Sequence, residues 1–294
     1  MMRQTLDAGL PKLGLDLPES ARQTLCDFGA AVIKQNEVMN LTAITQPDQV
    51  AKLHLLDSLT VLTAADLRGK QIIDVGCGAG FPGVPLAIAC PEARVTLLDS
   101  LGKRMKWLEE ILPQLGVRAQ CVTARAEEAA AERRESYDYA VSRAVARLNI
   151  LLELTAPYVK VGGAVLAMKG SAAREELAEC TSAIKKLGLQ LESVKEFSID
   201  GASHAVIVLR KEATVKSLDV IVPIMAGCYF VMTLWIILTH LPQLPGVFVR
   251  IFSEALGLRQ AVGGGFGAVV MNGIKRGLFS NEAGMGSTPH AHAL

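Results

Sequence analysis

The chain has almost no net charge: 30 lysines and arginines stand against 29 aspartates and glutamates, a formal +1. No whole-chain field marks it as a binder of nucleic acid, although a local basic patch would suffice for one. None of the six cysteines, at 26, 77, 90, 121, 180 and 228, forms a C-x-x-C pair or a zinc spacing, so no metal site is expected. The thiols read as buried or incidental ones in a reducing compartment. The opening MMRQTLDAGLPKLGLD lacks the apolar core of a signal peptide, and the first part of the chain is expected to be cytoplasmic. There is no internal repeat and no linker rich in Gly, Ser or Pro.

Charge itself runs out late in the chain. From Arg3 to about Lys216 charged residues recur every few positions, as in a globular domain. Val220 to Thr239 then reads VIVPIMAGCYFVMTLWIILT without one charge. Twenty residues at about 1.5 Å each span a hydrocarbon core of about 30 Å, so a membrane span over 220–239 is expected. Lys211 and Lys216 before it favour a cytoplasmic N-terminal side. The remainder is Gly-rich, and its His290 and His292 read as incidental.

The earlier region carries two kinds of period. Residues 18–36 and 48–65 predict helices with apolar faces: Leu25, Phe28, Val32 and Ile33 on one, Val50, Leu53, Leu56 and Leu59 on the other. An alternation of strands and helices follows. Strands are predicted at Gln71–Val75, Arg94–Leu98, Val117–Val122, Tyr137–Val141 and Ala164–Met168, and helices near 83–90, 101–113, 146–157 and 171–187. Two last strands are predicted near 189–198 and 204–210. This order predicts an α/β fold, a doubly wound, mostly parallel sheet covered on both faces, with ligands bound at the carboxyl ends of the strands. The expected divisions are a helical cap over 1–66, a nucleotide-type domain over 67–213 and a membrane fragment over 214–294.

The first strand runs into Asp74-Val75-Gly76-Cys77-Gly78-Ala79-Gly80-Phe81-Pro82-Gly83. Glycines let the backbone turn sharply and approach a ligand closely. The second strand ends at Asp99, where a carboxylate can accept from both hydroxyls of a ribose. Gly78, Gly80 and Gly83 match G-x-G-x-x-G, a weak signal for a dinucleotide. Two details favour S-adenosylmethionine instead. Asp74, two residues before the first glycine, can face a cationic ammonium, and Phe81-Pro82 gives the helix a bulky start in place of an open diphosphate cradle. A nicotinamide cofactor, and a turn with no ligand, stay open as alternatives.

DVGCGAGFPGVPLAI followed by LLDSLGKRMKWLEE resembles the bacterial small-subunit rRNA guanine-N7 methyltransferases, the glucose-inhibited division protein B family. Asn36 to Thr42 resembles the family's N-x-x-x-N-L-T signature, His54 to Ser58 its H-x-x-D-S, and Arg125 to Glu128 its R-x-E-E. Ser142-Arg143-Ala144 and Met168-Lys169-Gly170 resemble later motifs. The resemblance covers about 1–212. It implies a class I, Rossmann-like fold that uses S-adenosylmethionine. Gly76 and Phe81 would line the cofactor pocket beside Gly78 and Asp99, with Ala126 and Glu127 near the adenine and Arg143 by the cofactor and target base. Without the resemblance, Glu127 and Arg143 would read as surface ion-pairing residues. The implied partner is 16S rRNA or the small ribosomal subunit. Lys103, Arg104, Arg143 and Lys169 are the candidates for phosphate or base contact, and His54 and His204 read as packing or surface residues. Attack by guanine N7, which carries no proton, needs no general base, so no catalytic acid or base is assigned.

The family's basic, Pro-containing tail has no counterpart after Lys211. Instead Lys275 to Ser287, KRGLFSNEAGMGS, resembles sodium:alanine symporters, and the junction reads as a gene fusion or an artefact of assembly. Competing functions are a methyltransferase of a small molecule or protein, a membrane-anchored S-adenosylmethionine-binding module without turnover, and a nicotinamide oxidoreductase.

Overall fold

The computed structural model describes residues 1–212 together with 228–235, 239 and 246. The chain divides into two compact units, Met1–Ser217 and Leu218–Leu294. In the second unit residues 228–235 are helical. The span expected over 220–239 falls largely outside the described residues, as do the symporter-like segment and both C-terminal histidines. Among the described residues no helix is long and apolar enough to cross a membrane.

The first unit opens with α1 (Met2–Gly9) and α2 (Glu19–Asn36). A continuous helical run follows, made of α3 (Pro47–Val50), a π-helical stretch (Ala51–Leu56), α4 (Asp57–Leu59) and α5 (Val61–Ala64). Next come β1 (Gln71–Val75), α6 (Gly83–Ala89), β2 (Arg94–Asp99), α7 (Gly102–Gln114), β3 (Ala119–Thr123), α8 (Ala126–Glu132) and β4 (Tyr137–Arg143). The unit ends with α9 (Leu148–Thr155), β5 (Val159–Lys169), α10 (Ala173–Glu179), α11 (Thr181–Lys186), β6 (Leu189–Ile199) and β7 (Ala202–Lys211).

These strands form one seven-stranded sheet in the order β3-β2-β1-β4-β5-β7-β6. The first five are parallel; β7 runs antiparallel to β5 and pairs with β6 as a hairpin. Strand order reverses between β1 and β4, and the crevice outside their carboxyl ends is where such sheets bind ligands.

Alternation along the strands feeds two cores. Ile72, Leu97, Val141 and Leu166 pack with Leu6, Leu25, Phe28 and Leu108 on one face. Ile73, Leu98, Ala140 and Val165 pack with Leu148, Leu152 and Tyr158 on the other. Strands covered on both faces need near-continuous apolar runs, which QIIDV and RVTLLD supply.

Several features differ from expectation, among them β5, which begins at Val159, five residues before its expected start. The helix expected over 171–187 is two, interrupted at Cys180. The third strand begins at Ala119, two residues later than expected. Helices α1 and α8 appear where none is predicted; each is short, and two turns give too few apolar repeats to register as a period.

Candidate active site

At the tips of β1 to β4 the backbone encloses a cavity of about 670 Å³. Its floor is the loop after β1. The N–H groups of Gly76 and Cys77 donate to the Leu98 carbonyl at 2.8 and 3.1 Å, which ties this loop to the end of β2. Asp99 then fixes both neighbouring loops: its Oδ2 accepts from Gly78 N at 2.9 Å and its Oδ1 from Leu101 N at 2.9 Å. A carboxylate offers about four lone-pair positions, so two remain for a ligand.

Of the residues expected to hold a cofactor, Gly76, Gly78, Phe81, Asp99, Ala126, Glu127 and Arg143 border this cavity, and Asp74 does not. They come from four loops separated by up to 67 positions, and only the fold brings them together. Ala126 opens α8, and Glu127 in its first turn keeps an exposed side chain. Ala124, Ala126 and Leu154 make this end of the cavity apolar.

Asp74 does not face the cavity, contrary to the expectation that it meets a cationic ammonium there. It is fully buried, and its Oδ2 accepts from Gly83 N at 2.7 Å. Gly83 starts α6, whose first-turn N–H groups have no partner within the helix, so the carboxylate caps that end. A Cβ at position 83 would collide with Leu97 and with Asp74 itself, which explains the glycine there. Burial pushes the Asp74 carboxyl up to about 7, and its Oδ1 has no partner among the described residues.

The other end of the cavity is polar and tightly wired. Arg143, the last residue of β4, donates from one nitrogen to Asp57 Oδ2 at 2.7 Å and to the Leu53 carbonyl at 3.0 Å. Its other terminal nitrogen meets His54 Nδ1 at 3.2 Å. Asp57, 4% exposed, receives His204 Nδ1 at 2.9 Å on its second oxygen. His54 stacks on Phe81, with ring centroids 4.6 Å apart, and the Arg143 guanidinium lies 5.4 Å from the same ring. Burial, with Arg143 adding to it, holds the His54 pKa down to about 4. Donating a hydrogen bond to Asp57 raises that of His204.

Residues expected to meet RNA separate into distinct environments. Lys103 is exposed on α7, and Arg104 lines the cavity while donating to the Asn40 carbonyl at 3.2 Å. Lys169 departs from expectation: its side chain is 8% exposed and paired with Glu176 at 2.8 Å, so its charge is spent internally. It lines a second cavity of about 730 Å³ with Asp57, Glu176 and His204; that cavity shares His54, Arg143, Ala144 and Val145 with the first. Sequence reasoning read His54 and His204 as packing or surface residues and gave Asp57 no role. The H-x-x-D-S spacing was the available signal, because positions three apart share one helix face.

The family described as rRNA small subunit methyltransferase G matches residues 21–206. The sodium:alanine symporter family matches residues 198–294. The ribosomal RNA small subunit methyltransferase G of Alkaliphilus metalliredigens is 40% identical over 215 residues, covering 71% of this chain and 90% of the relative. The protein of the same name in Desulfitobacterium hafniense is 41% identical over 202 residues, covering 67% of this chain and 84% of the relative. The chain therefore belongs to the rRNA small subunit methyltransferase G family.

Proposed function

We propose that the first unit transfers the methyl group of S-adenosylmethionine to N7 of a guanine in small-subunit (16S) ribosomal RNA, in the cytoplasm. The observation that carries this reading is the strand-tip cavity, bounded at one end by bare glycine backbone and the Asp99 carboxylate, and at the other by Phe81, His54 and Arg143. The residues suit the methyl donor. A ribose finds two free acceptor positions on Asp99, an adenine finds the apolar wall of Ala124, Ala126 and Leu154, and the glycine loop leaves room for close approach.

Bound there, S-adenosylmethionine supplies an electrophilic methyl group. The lone pair of N7 forms the new bond, the pair of the broken C–S bond stays on sulfur, and no proton moves. The protein's part is placement, which for two reactants held in line is worth about 7–11 kcal/mol of barrier. His54 is a poor base: Arg143 occupies Nδ1, and burial holds its pKa down to about 4, so the ring takes up a proton only weakly. Phe81 and His54, stacked on each other, keep water from the reacting end.

Incorporation of labelled methyl into small-subunit particles that lack the modification, compared with RNA-free extract, tests the reading. Labelling of the extract alone would point to a small-molecule or protein substrate. Binding without transfer to either would leave a binding module. Asp99→Ala is expected to weaken S-adenosylmethionine by about 1–3 kcal/mol, read by calorimetry, through loss of charge-assisted hydrogen bonds.

The uncharged run over 220–239 and the symporter match support reading 214–294 as a membrane-directed fragment that takes no part in methyl transfer. Deleting 214–294 is expected to leave methyl incorporation within about twofold of the full chain, because the described residues that border the strand-tip cavity all precede 155. A larger loss would give the second region a role in RNA binding.

A further inference from the structure

The hydrogen-bond ledger around Thr42 leaves one group over. Arg143 has only donors, so its contact with His54 Nδ1 requires that nitrogen to be bare. The neutral ring therefore carries its proton on Nε2, which lies 2.8 Å from Thr42 Oγ1. Thr42 is thus the acceptor in that bond. The same oxygen accepts from Ile44 N at 3.0 Å. Both lone pairs of the hydroxyl are used and its proton has no acceptor among the described residues. Thr42 borders the cavity, half-buried at the end that holds His54, Phe81 and Arg143. Its position is fixed from behind: Asn36 Oδ1 accepts from Leu41 N at 2.7 Å and from Thr42 N at 2.9 Å, closing the loop that carries it.

A hydroxyl that can only donate selects an acceptor. On the edge of guanine that exposes N7, the neighbouring group is the acceptor O6; adenine places a donor amino group there beside its own N7. We propose that Thr42 is a specificity-determining residue that donates its hydroxyl proton to O6 of the target guanine while N7 faces the methyl group. This rests on the function proposed above. An adenine at the same place would oppose two donors and leave both unpaired. Arg143 sets this up at one remove, because its claim on Nδ1 fixes the ring proton of His54 and so the direction of the Thr42 hydroxyl. The cofactor's carboxylate is the competing acceptor. Thr42 lies on a half-exposed cap loop beside His54, and the S-adenosylmethionine affinity of its variants separates the two acceptors.

The test compares the wild-type chain with Thr42→Val and Thr42→Ser on small-subunit particles lacking the modification. Wild-type methylation of a guanine N7 establishes the underlying reaction; its failure would remove that reading, and this inference with it. Given that activity, Thr42→Val is expected to lower kcat/KM for RNA by about 10- to 100-fold, and Thr42→Ser to recover most of it, with affinity for S-adenosylmethionine within about twofold of wild type. Placing 2-aminopurine, which keeps N7 and lacks O6, at the target position should cost the wild type a similar factor and Thr42→Val almost nothing. Should Thr42→Val not fold, the 2-aminopurine substitution in the wild type and in Thr42→Ser still decides. Unchanged turnover on 2-aminopurine would overturn the proposal, and so would a fall in S-adenosylmethionine affinity that matches the fall in turnover.

Discussion

Gly78→Val is expected to abolish binding of S-adenosylmethionine. Gly78 has φ +56, in the left-handed region that a β-branched residue enters only at a cost of about 1–2 kcal/mol. A Cβ built there meets nothing within 4 Å except Arg104 Nη1 at 3.9 Å. The added side chain would therefore not be absorbed by protein packing; it would stand in the cavity. Gly78 N also donates to Asp99, so a shift of the loop to relieve the strain would disturb the carboxylate proposed to hold the ribose. The two effects together predict a loss of more than about 100-fold in affinity, with Gly78→Ala intermediate. Titration calorimetry measures it, and far-UV circular dichroism should match the wild type because the loop lies outside the sheet core. Affinity retained within a few-fold would mean the ligand lies elsewhere.

The sheet was legible because burial on both faces writes itself into composition. β1 is predicted at its exact bounds and β2 to within one residue, since each is a short apolar run cut off by a glycine loop or a loop-starting acid. The glycine-loop end of the cavity was legible for the same reason: glycines and a strand-tip acid are local signals. The opposite end was not. Thr42, His54, Asp57, Arg143 and His204 form one hydrogen-bonded chain spread over 163 positions, and no local pattern reveals that β7 delivers a histidine to an aspartate on α4. Asp74 shows the converse error. Its place in D-x-G-x-G suggested a ligand contact, whereas the α6 terminus needed an acceptor and took it. Lys169 was misread because its partner Glu176 belongs to a helix whose orientation the sequence does not disclose.

Asp57→Ala is expected to cost about 3–5 kcal/mol of stability, because removing one partner of a buried pair strands the other. The Arg143 side chain is 15% exposed and would lose its carboxylate, and His204 would lose its acceptor at the same time. The signature lies in the pH dependence. Burial pushes the Asp57 carboxyl upward, but His204 and Arg143 hold it below its ordinary value; its contribution is present above about 3.8 and lost as pH falls through the depressed value. The His204 pKa is raised, so its contribution is complete below 6.5 and lost as pH rises through the raised value. His54, held to about 4, works in the opposite sense: the unfolded chain binds its proton first, and stability falls as pH drops from 6.5 toward 4. Asp74, raised to about 7, works against His54: the folded chain binds its proton first between 3.8 and 7, so the two slopes offset between about 4 and 6.5. Above 7 only the His204 contribution of these groups is still being lost, and this alkaline limb is the one Asp57→Ala should remove, because it needs the Asp57–His204 contact. Urea unfolding at pH 7.0, 7.75 and 8.5 reads that limb, with Asp57→Asn as the size-matched control. An alkaline limb that survives in Asp57→Ala would show that His204 draws its stabilisation from another group.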